Sequence, residues 1–180
     1  AVDTFSYALT GGTDEASFEI GSSNTLKFKS TVSGNFETKS SYTVIVTSTD
    51  SGSASTSSTF TLSLTDVNES PTAIALSGGS AAENSAGASF GTLSTTDPDA
   101  SDSFSYSVTG GTDAASFEIG TSDTLKFKST VSGNFEAKSS YSVTVTSTDA
   151  GSNTYAETLT VSITNVNEAA SFTTSSAASA

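Results

Sequence analysis

The sequence repeats itself at long range. FSYALTGGTDEASFEI begins at Phe5 and FSYSVTGGTDAASFEI at Phe104. TLKFKSTVSGNFETKSSY begins at Thr25 and TLKFKSTVSGNFEAKSSY at Thr124. TSTD recurs at Thr47 and Thr146, and DVNE at Asp66 answers to NVNE at Asn165. Each pair is offset by 99 residues without insertion, which is the mark of an array of interchangeable modules. In this register Ala1 corresponds to Ala100, and residues 169–180 correspond to residues 70–81. The expected domains are a first repeat over 1–69 lacking its two opening strands, a complete repeat over 70–168, and the first strand of a third repeat, or a tail, over 169–180. The first repeat, short of two strands, is expected to be unstable unless something covers the gap, and exposed edges invite strand donation from another copy.

Within the complete repeat, the apolar residues predict seven short strands, over residues 72–77, 89–95, 103–109, 116–119, 124–128, 139–148 and 158–164. Phe104, Tyr106 and Val108 alternate with serines, as do Tyr141, Val143 and Val145 with Ser and Thr, and Leu159, Val161 and Ile163 with Thr and Ser. Alternation of period two gives one buried and one wet face. Seven such strands in about 100 residues, with no helical stretch, predict an all-β fold: tandem seven-stranded Greek-key β-sandwiches of immunoglobulin-like type.

Charge narrows the partners. Nineteen acids against six basic residues leave a net charge of −13, which repels nucleic acid and favours cations. No apolar run approaches the roughly 18 residues of a membrane helix, so no membrane insertion is expected. The chain has no histidine and no cysteine, hence no Ser-His-Asp or Cys-His arrangement, and an enzyme is not expected. A pair of carboxylates could run glycoside hydrolysis, but these acids recur with the fold rather than marking a single cleft.

The informative acids lie at the repeat boundary. Asn35 and Glu37 stand in GNFE; Asp66, Asn68 and Glu69 in DVNESP; Asp97 and Asp99 in DPD; and Asp149 in TDAG. If the loops gather at the ends of the sandwich, these groups converge on the junction between modules. Two like charges at 4 Å repel by about 4 kcal/mol at an effective dielectric of 20. Hard oxygen donors in such number suit Ca2+, and nothing present favours zinc or copper.

These residues also carry a family likeness. AEN around Glu83, TDPD ending at Asp99, NFE ending at Glu136, TDAG around Asp149 and DVNE at Asp66 resemble, in order and spacing, the motifs of the bacterial cadherin-like repeat. The resemblance covers nearly the whole chain and implies up to three calcium ions per junction. It extends the metal set to Glu83, Glu136, Asn167 and Glu168 at a second, incomplete junction. Departures from the family pattern are Asn35 and Asn134 in place of a carboxylate, Glu69 and Ser70 in the linker, and Asn165 at the start of the second linker.

Other features have simpler readings. GGTD at Gly11 and Gly110 is expected to be a tight turn. Asn68-Glu69-Ser70 is formally a glycosylation sequon, but proline follows it and Asn68 is wanted as a ligand. Asp14, Glu19, Asp113, Glu118 and Glu157 are expected at the surface and in turns; Tyr7, Tyr42, Tyr106 and Tyr141 in or at the edge of the core; and Lys27, Lys29, Lys126 and Lys128 on a wet face. The expected function is a non-enzymatic, extracellular structural or adhesive repeat of a large bacterial surface or matrix protein (cell adhesion, biofilm or filament), stiffened by calcium at its junctions. Its expected partners are neighbouring repeats and other copies, homophilic or polymeric. The alternative is a calcium-dependent carbohydrate-binding module with polysaccharide as partner.

Overall fold

The computed structural model describes residues 3–170. The chain divides into two compact units, Ala1–Asn68 (unit 1) and Glu69–Ala180 (unit 2). The expected strand over 169–180 falls almost wholly outside the described residues.

Unit 2 is a sandwich of two four-stranded sheets. One sheet is ordered β10 (Phe117–Ile119), β11 (Thr124–Phe127), β8 (Ser89–Thr96) and β6 (Ala73–Leu76). The other is ordered β7 (Ser80–Ala82), β13 (Thr154–Thr164), β12 (Ser140–Thr148) and β9 (Ser105–Gly110). Among the described residues all pairings are antiparallel except β7 on β13, where Ser80 faces Ser162 and Ala82 faces Thr164. The alternation read in the sequence does the folding: β8 turns Phe90 and Leu93 inward, β12 Val143 and Val145, and β13 Val161 and Ile163. They enclose Phe117, Leu125 and Phe127, and the rings of Phe90 and Phe127 meet edge to face at 4.9 Å. A hydroxyl cluster joins the sheets at one end: Thr95 Oγ1 donates to Tyr106 Oη (2.8 Å) and lies 2.8 Å from the fully buried Ser147 Oγ. The three-residue β7 adds an eighth strand to the seven expected. It has no alternation of its own and exists because β13 offers it a free edge. β13 begins at Thr154, four residues before the expected start at 158.

Unit 1 holds a three-stranded sheet, β1 (Phe5–Gly11), β4 (Ser41–Asp50) and β5 (Ser55–Ser63), and a two-stranded sheet, β2 (Phe18–Ile20) and β3 (Leu26–Phe28). Among the described residues it has no counterpart of β6, β7 or β8. Its core is correspondingly small: Phe18, Tyr42 and Val44 are buried, and a hollow of about 270 Å³ lies open between Tyr7, Ile20, Leu26, Val46 and Phe60. Tyr7 and Phe60 are 41% and 46% exposed.

Each unit also contains two three-residue 3-10 turns, Glu15–Ser17 and Ser22–Asn24 in unit 1 and Ala114–Ser116 and Thr121–Asp123 in unit 2. The first of each pair follows GGTD. Gly12 and Gly111 have φ of +101° and +95°, and a Cβ there would stand 2.6 Å from the Cα of Val44 or Val143, so only glycine fits. The aspartate of this motif is more than a surface turn residue. Asp14 and Asp113 accept the N–H of Thr43 and Ser142 (2.8 Å each) and pair with Lys39 and Lys138, whose ammonium groups lie over Tyr42 and Tyr141. The lysine contact, then the backbone N–H, holds each carboxyl below the usual carboxylate range. Glu19 and Glu118 behave as expected, pairing with Lys27 (3.0 Å) and Lys126 (2.9 Å), whereas Glu157 lies half-buried opposite Val145.

Candidate metal centre

In unit 2 the long strands carry acids to both ends of the sandwich. β8 runs from near Glu83 to Asp97, and β12 from near Glu136 to Asp149. The nine residues of β12, at about 3.3 Å each, separate the two ends by nearly 30 Å.

At the first end, the Glu69 N–H donates to Asp99 Oδ2 (2.8 Å) and the Asp99 N–H to Asp97 Oδ1 (2.9 Å). The Asn153 N–H donates to Asp149 Oδ1 (2.7 Å), and Asn153 Nδ2 to the Glu69 carbonyl (3.0 Å). Glu69 and Asp99 bring carboxylate oxygens within 4.8 Å of each other. Asp97, Asp102 and Asp149 form a second set, also within 4.8 Å of one another. Asp149 is only 6% exposed, and Asp97 Oδ2 and Asp102 Oδ2 are shut off from solvent without a hydrogen-bond partner. Burial first, then the charges of Asp149, Asp99 and Asp97, push the Asp102 carboxyl up, against the pull of the Ala150 N–H.

At the opposite end, Glu83, Glu136 and Glu168 bring carboxylate oxygens within 4.8 Å of one another. Glu83, 3% exposed, accepts the N–H of Val166 (2.7 Å) and of Phe135 (2.8 Å), and these bonds, the Val166 bond foremost, hold its carboxyl below the usual range. Glu83 therefore stays ionised while tying the loop after β11 to the segment after β13. Asn165, the linker departure, donates from Nδ2 to Glu136 Oε1 (3.0 Å), and Asn84 donates to Glu168.

Unit 1 supplies Glu37 and Asp66, whose carboxylate oxygens lie within 4.8 Å of each other. Asn35 acts within its own loop. Its Oδ1 accepts the Thr38 N–H (2.7 Å) and shapes the turn that presents Glu37. Asn134 does the same for Ala137 (2.7 Å) ahead of Glu136. The metal set expected from the sequence did not include Asp102. Its signal was present in DPDASD, where a third acid follows Asp97 and Asp99.

Ca2+ binds oxygens at about 2.3–2.6 Å, so ligands of one ion lie within about 5 Å of each other. The spacing of both unit 2 clusters meets that condition. The orphaned oxygens of Asp97 and Asp102 fit it further, since a buried carboxylate oxygen that accepts no hydrogen bond is costly and a cation relieves it.

No protein-family model and no curated protein matches the sequence. Solved structures do. PcdhgB3 EC1-4 superposes with a TM-score of 0.69 at 22% identity, over 91% of this chain and 41% of that one. Human protocadherin-24 EC1-2 gives 0.68 at 14% identity, over 91% and 83%, and mouse cadherin-23 EC22-24 gives 0.65 at 17%, over 90% and 54%. The chain spans about two-fifths of the first of these and about half of the third. These are cadherin-domain structures, and the likeness shows that this chain has the cadherin β-sandwich fold, complete in unit 2.

Proposed function

We propose that the chain is a non-enzymatic, extracellular adhesive or structural repeat of a large bacterial surface protein, stiffened by calcium where modules meet. The observation that carries the reading is the pair of buried, partnerless carboxylate oxygens of Asp97 and Asp102 beside Asp149, at the end of unit 2 where the linker enters. In this reading Glu69, Asp97, Asp99 and Asp149 bind calcium from unit 2. Glu37 adds an oxygen from the GNFE loop and Asp66 and Asn68 from the linker, and Asn35 holds the Glu37 loop. Glu83, Glu136, Asn167 and Glu168 serve the next junction. Calcium replaces mutual repulsion of the carboxylates by shared attraction and limits how far successive modules bend. The affinity expected of an extracellular module is about 10⁻⁴–10⁻³ M.

The cadherin-type likeness favours adhesion over carbohydrate binding, with neighbouring repeats and other copies of the chain as partners. One of the similar structures, protocadherin gammaB7 EC3-6, is a cis-dimer. The test is a calcium titration followed by small-angle scattering and thermal melting. The maximum dimension should become fixed and the melting temperature should rise as calcium is added. If neither moves up to about 10 mM, ten times the weak end of that range, the calcium role is wrong.

A further inference from the structure

We propose that the open face of unit 1 is an acceptor site for an extended segment of repeat sequence, one with the pattern of residues 88–96, which adds to the free edge of β3 and fills the hollow beside it. Calcium plays no part in this binding.

Three observations converge. The first is the edge. Among the described residues β3 pairs with β2 alone, whereas its counterpart β11 holds β10 on one side and β8 on the other. Residues 25–28 and 124–127 have the same sequence, TLKF. In unit 2, Thr124, Leu125 and Lys126 stand opposite Thr92, Gly91 and Ser89, and the Phe127 N–H donates to the Ala88 carbonyl (2.9 Å). Thr25, Leu26, Lys27 and Phe28 offer an incoming strand the same register, with main-chain bonds for affinity and side-chain pockets for specificity.

The second is the hollow. Tyr7, Ile20, Leu26, Val46 and Phe60 line it, and their counterparts Tyr106, Ile119, Leu125, Val145 and Leu159 all belong to the core that Phe90 and Leu93 complete. Phe90 meets the rings of Phe117 at 5.5 Å and Phe127 at 4.9 Å, and those two stand 5.0 Å apart at 44°. In unit 1, with no third ring between them, Phe18 and Phe28 close into a stack at 4.5 Å and 25°. The receptor for a phenylalanine is thus present with both its rings.

The third is charge. Lys27 lies on β3 and Lys29 just beyond it, two of the six basic residues of the chain. Residues 80–99 carry Glu83, Asp97 and Asp99 and no basic residue, so such a segment is drawn to this edge.

The occupant is a segment not already folded into a sandwich. A second copy has residues 73–96 built into its own unit 2, and lending them would open one sandwich to close another. The partner is therefore a separate, unengaged strand with Phe and Leu three residues apart.

The experiment uses the whole chain at constant calcium and a synthetic peptide of residues 80–99. Amide shifts and exchange are followed at Leu26, Phe28 and Val46, and at Leu125, Phe127 and Val145; sedimentation gives the stoichiometry. The peptide should shift and protect the three unit 1 amides, leave those of unit 2 unchanged, and bind once per chain. The same peptide with Phe90→Ala should bind about 100-fold more weakly. No response in unit 1 up to about 1 mM peptide, equal binding of the two peptides, or changes confined to unit 2 would each overturn the proposal. A chain that dimerises through unit 1 and ignores the peptide would overturn it too, making this face an interface between copies. None of these outcomes touches the calcium reading, which is tested by titrating the metal.

Discussion

Units 1 and 2 share almost the same residues, yet their interiors differ. Leu125, Phe127 and Val145 are completely buried in unit 2, while their counterparts Leu26, Phe28 and Val46 are only partly buried in unit 1. Ser147 is sealed and hydrogen-bonded to Thr95; Ser48 has no such neighbour among the described residues and stays half-buried. The difference lies in β6, β7 and β8, and above all in Phe90 and Leu93, which close the hydrophobic layer of unit 2. Burial therefore belongs to what covers a residue as much as to the residue, and the same strand can be core or surface within one molecule.

The comparison breaks most sharply at the cover itself. Phe90→Ala should cost unit 2 about 3–5 kcal/mol and leave unit 1 untouched, which amide exchange at Val145 against Val46 would show. Next comes the covered layer: Leu125→Ala should cost about 2–5 kcal/mol, whereas Leu26→Ala should cost about 1 kcal/mol, read from urea midpoints of the two variants. Equal losses would mean that unit 1 is as closed as unit 2. Features that do not depend on β8 should instead behave alike in the two units. Gly12→Ala and Gly111→Ala, each forcing a Cβ into the backbone at positive φ, should destabilise their own units by similar amounts, about 1–3 kcal/mol.

The smallest effect should come from the Asp14–Lys39 and Asp113–Lys138 pairs. Both carboxyls sit below their ordinary value, so their contribution is complete above about pH 3.9 and is lost as pH falls through the lowered folded value. Asp113→Asn should remove this acid-side slope from unit 2 and leave that of unit 1, as urea midpoints measured between about pH 5 and pH 2 would reveal.

Much of this was legible in the sequence because period-two alternation runs through β12 and most of β13. Tyr141, Val143 and Val145 could face only one way, and the boundary acids stood out because they recur with the repeat. Other features were not legible, each for a physical reason. β7 is three small residues whose pairing is decided by β13 rather than by its own pattern. The start of β13 was hidden because Glu157 occupies an inward-alternating position, where it accepts the Tyr155 hydroxyl (3.1 Å) instead of facing water. Asp102 resembled any solvated turn acid, and only the return of its loop toward Asp97 and Asp149 sets it apart. Asp113 was hidden in the same way, since a turn motif gives no sign that its carboxylate reaches a lysine 25 residues on.

The parallel pairing of β7 with β13 has a mechanical consequence. β7 enters the sheet soon after unit 2 begins and β13 leaves it near the end, and the two run in the same direction, joined by Ser162 N–H to the Gly79 carbonyl (2.8 Å) and Glu83 N–H to the Thr164 carbonyl (3.2 Å). Tension along the chain would drag β7 backward and β13 forward, so these bonds would share the load in shear and fail together rather than peel one by one. A strand of three residues would thus act as a latch, yielding little until the force is large enough to release all of it.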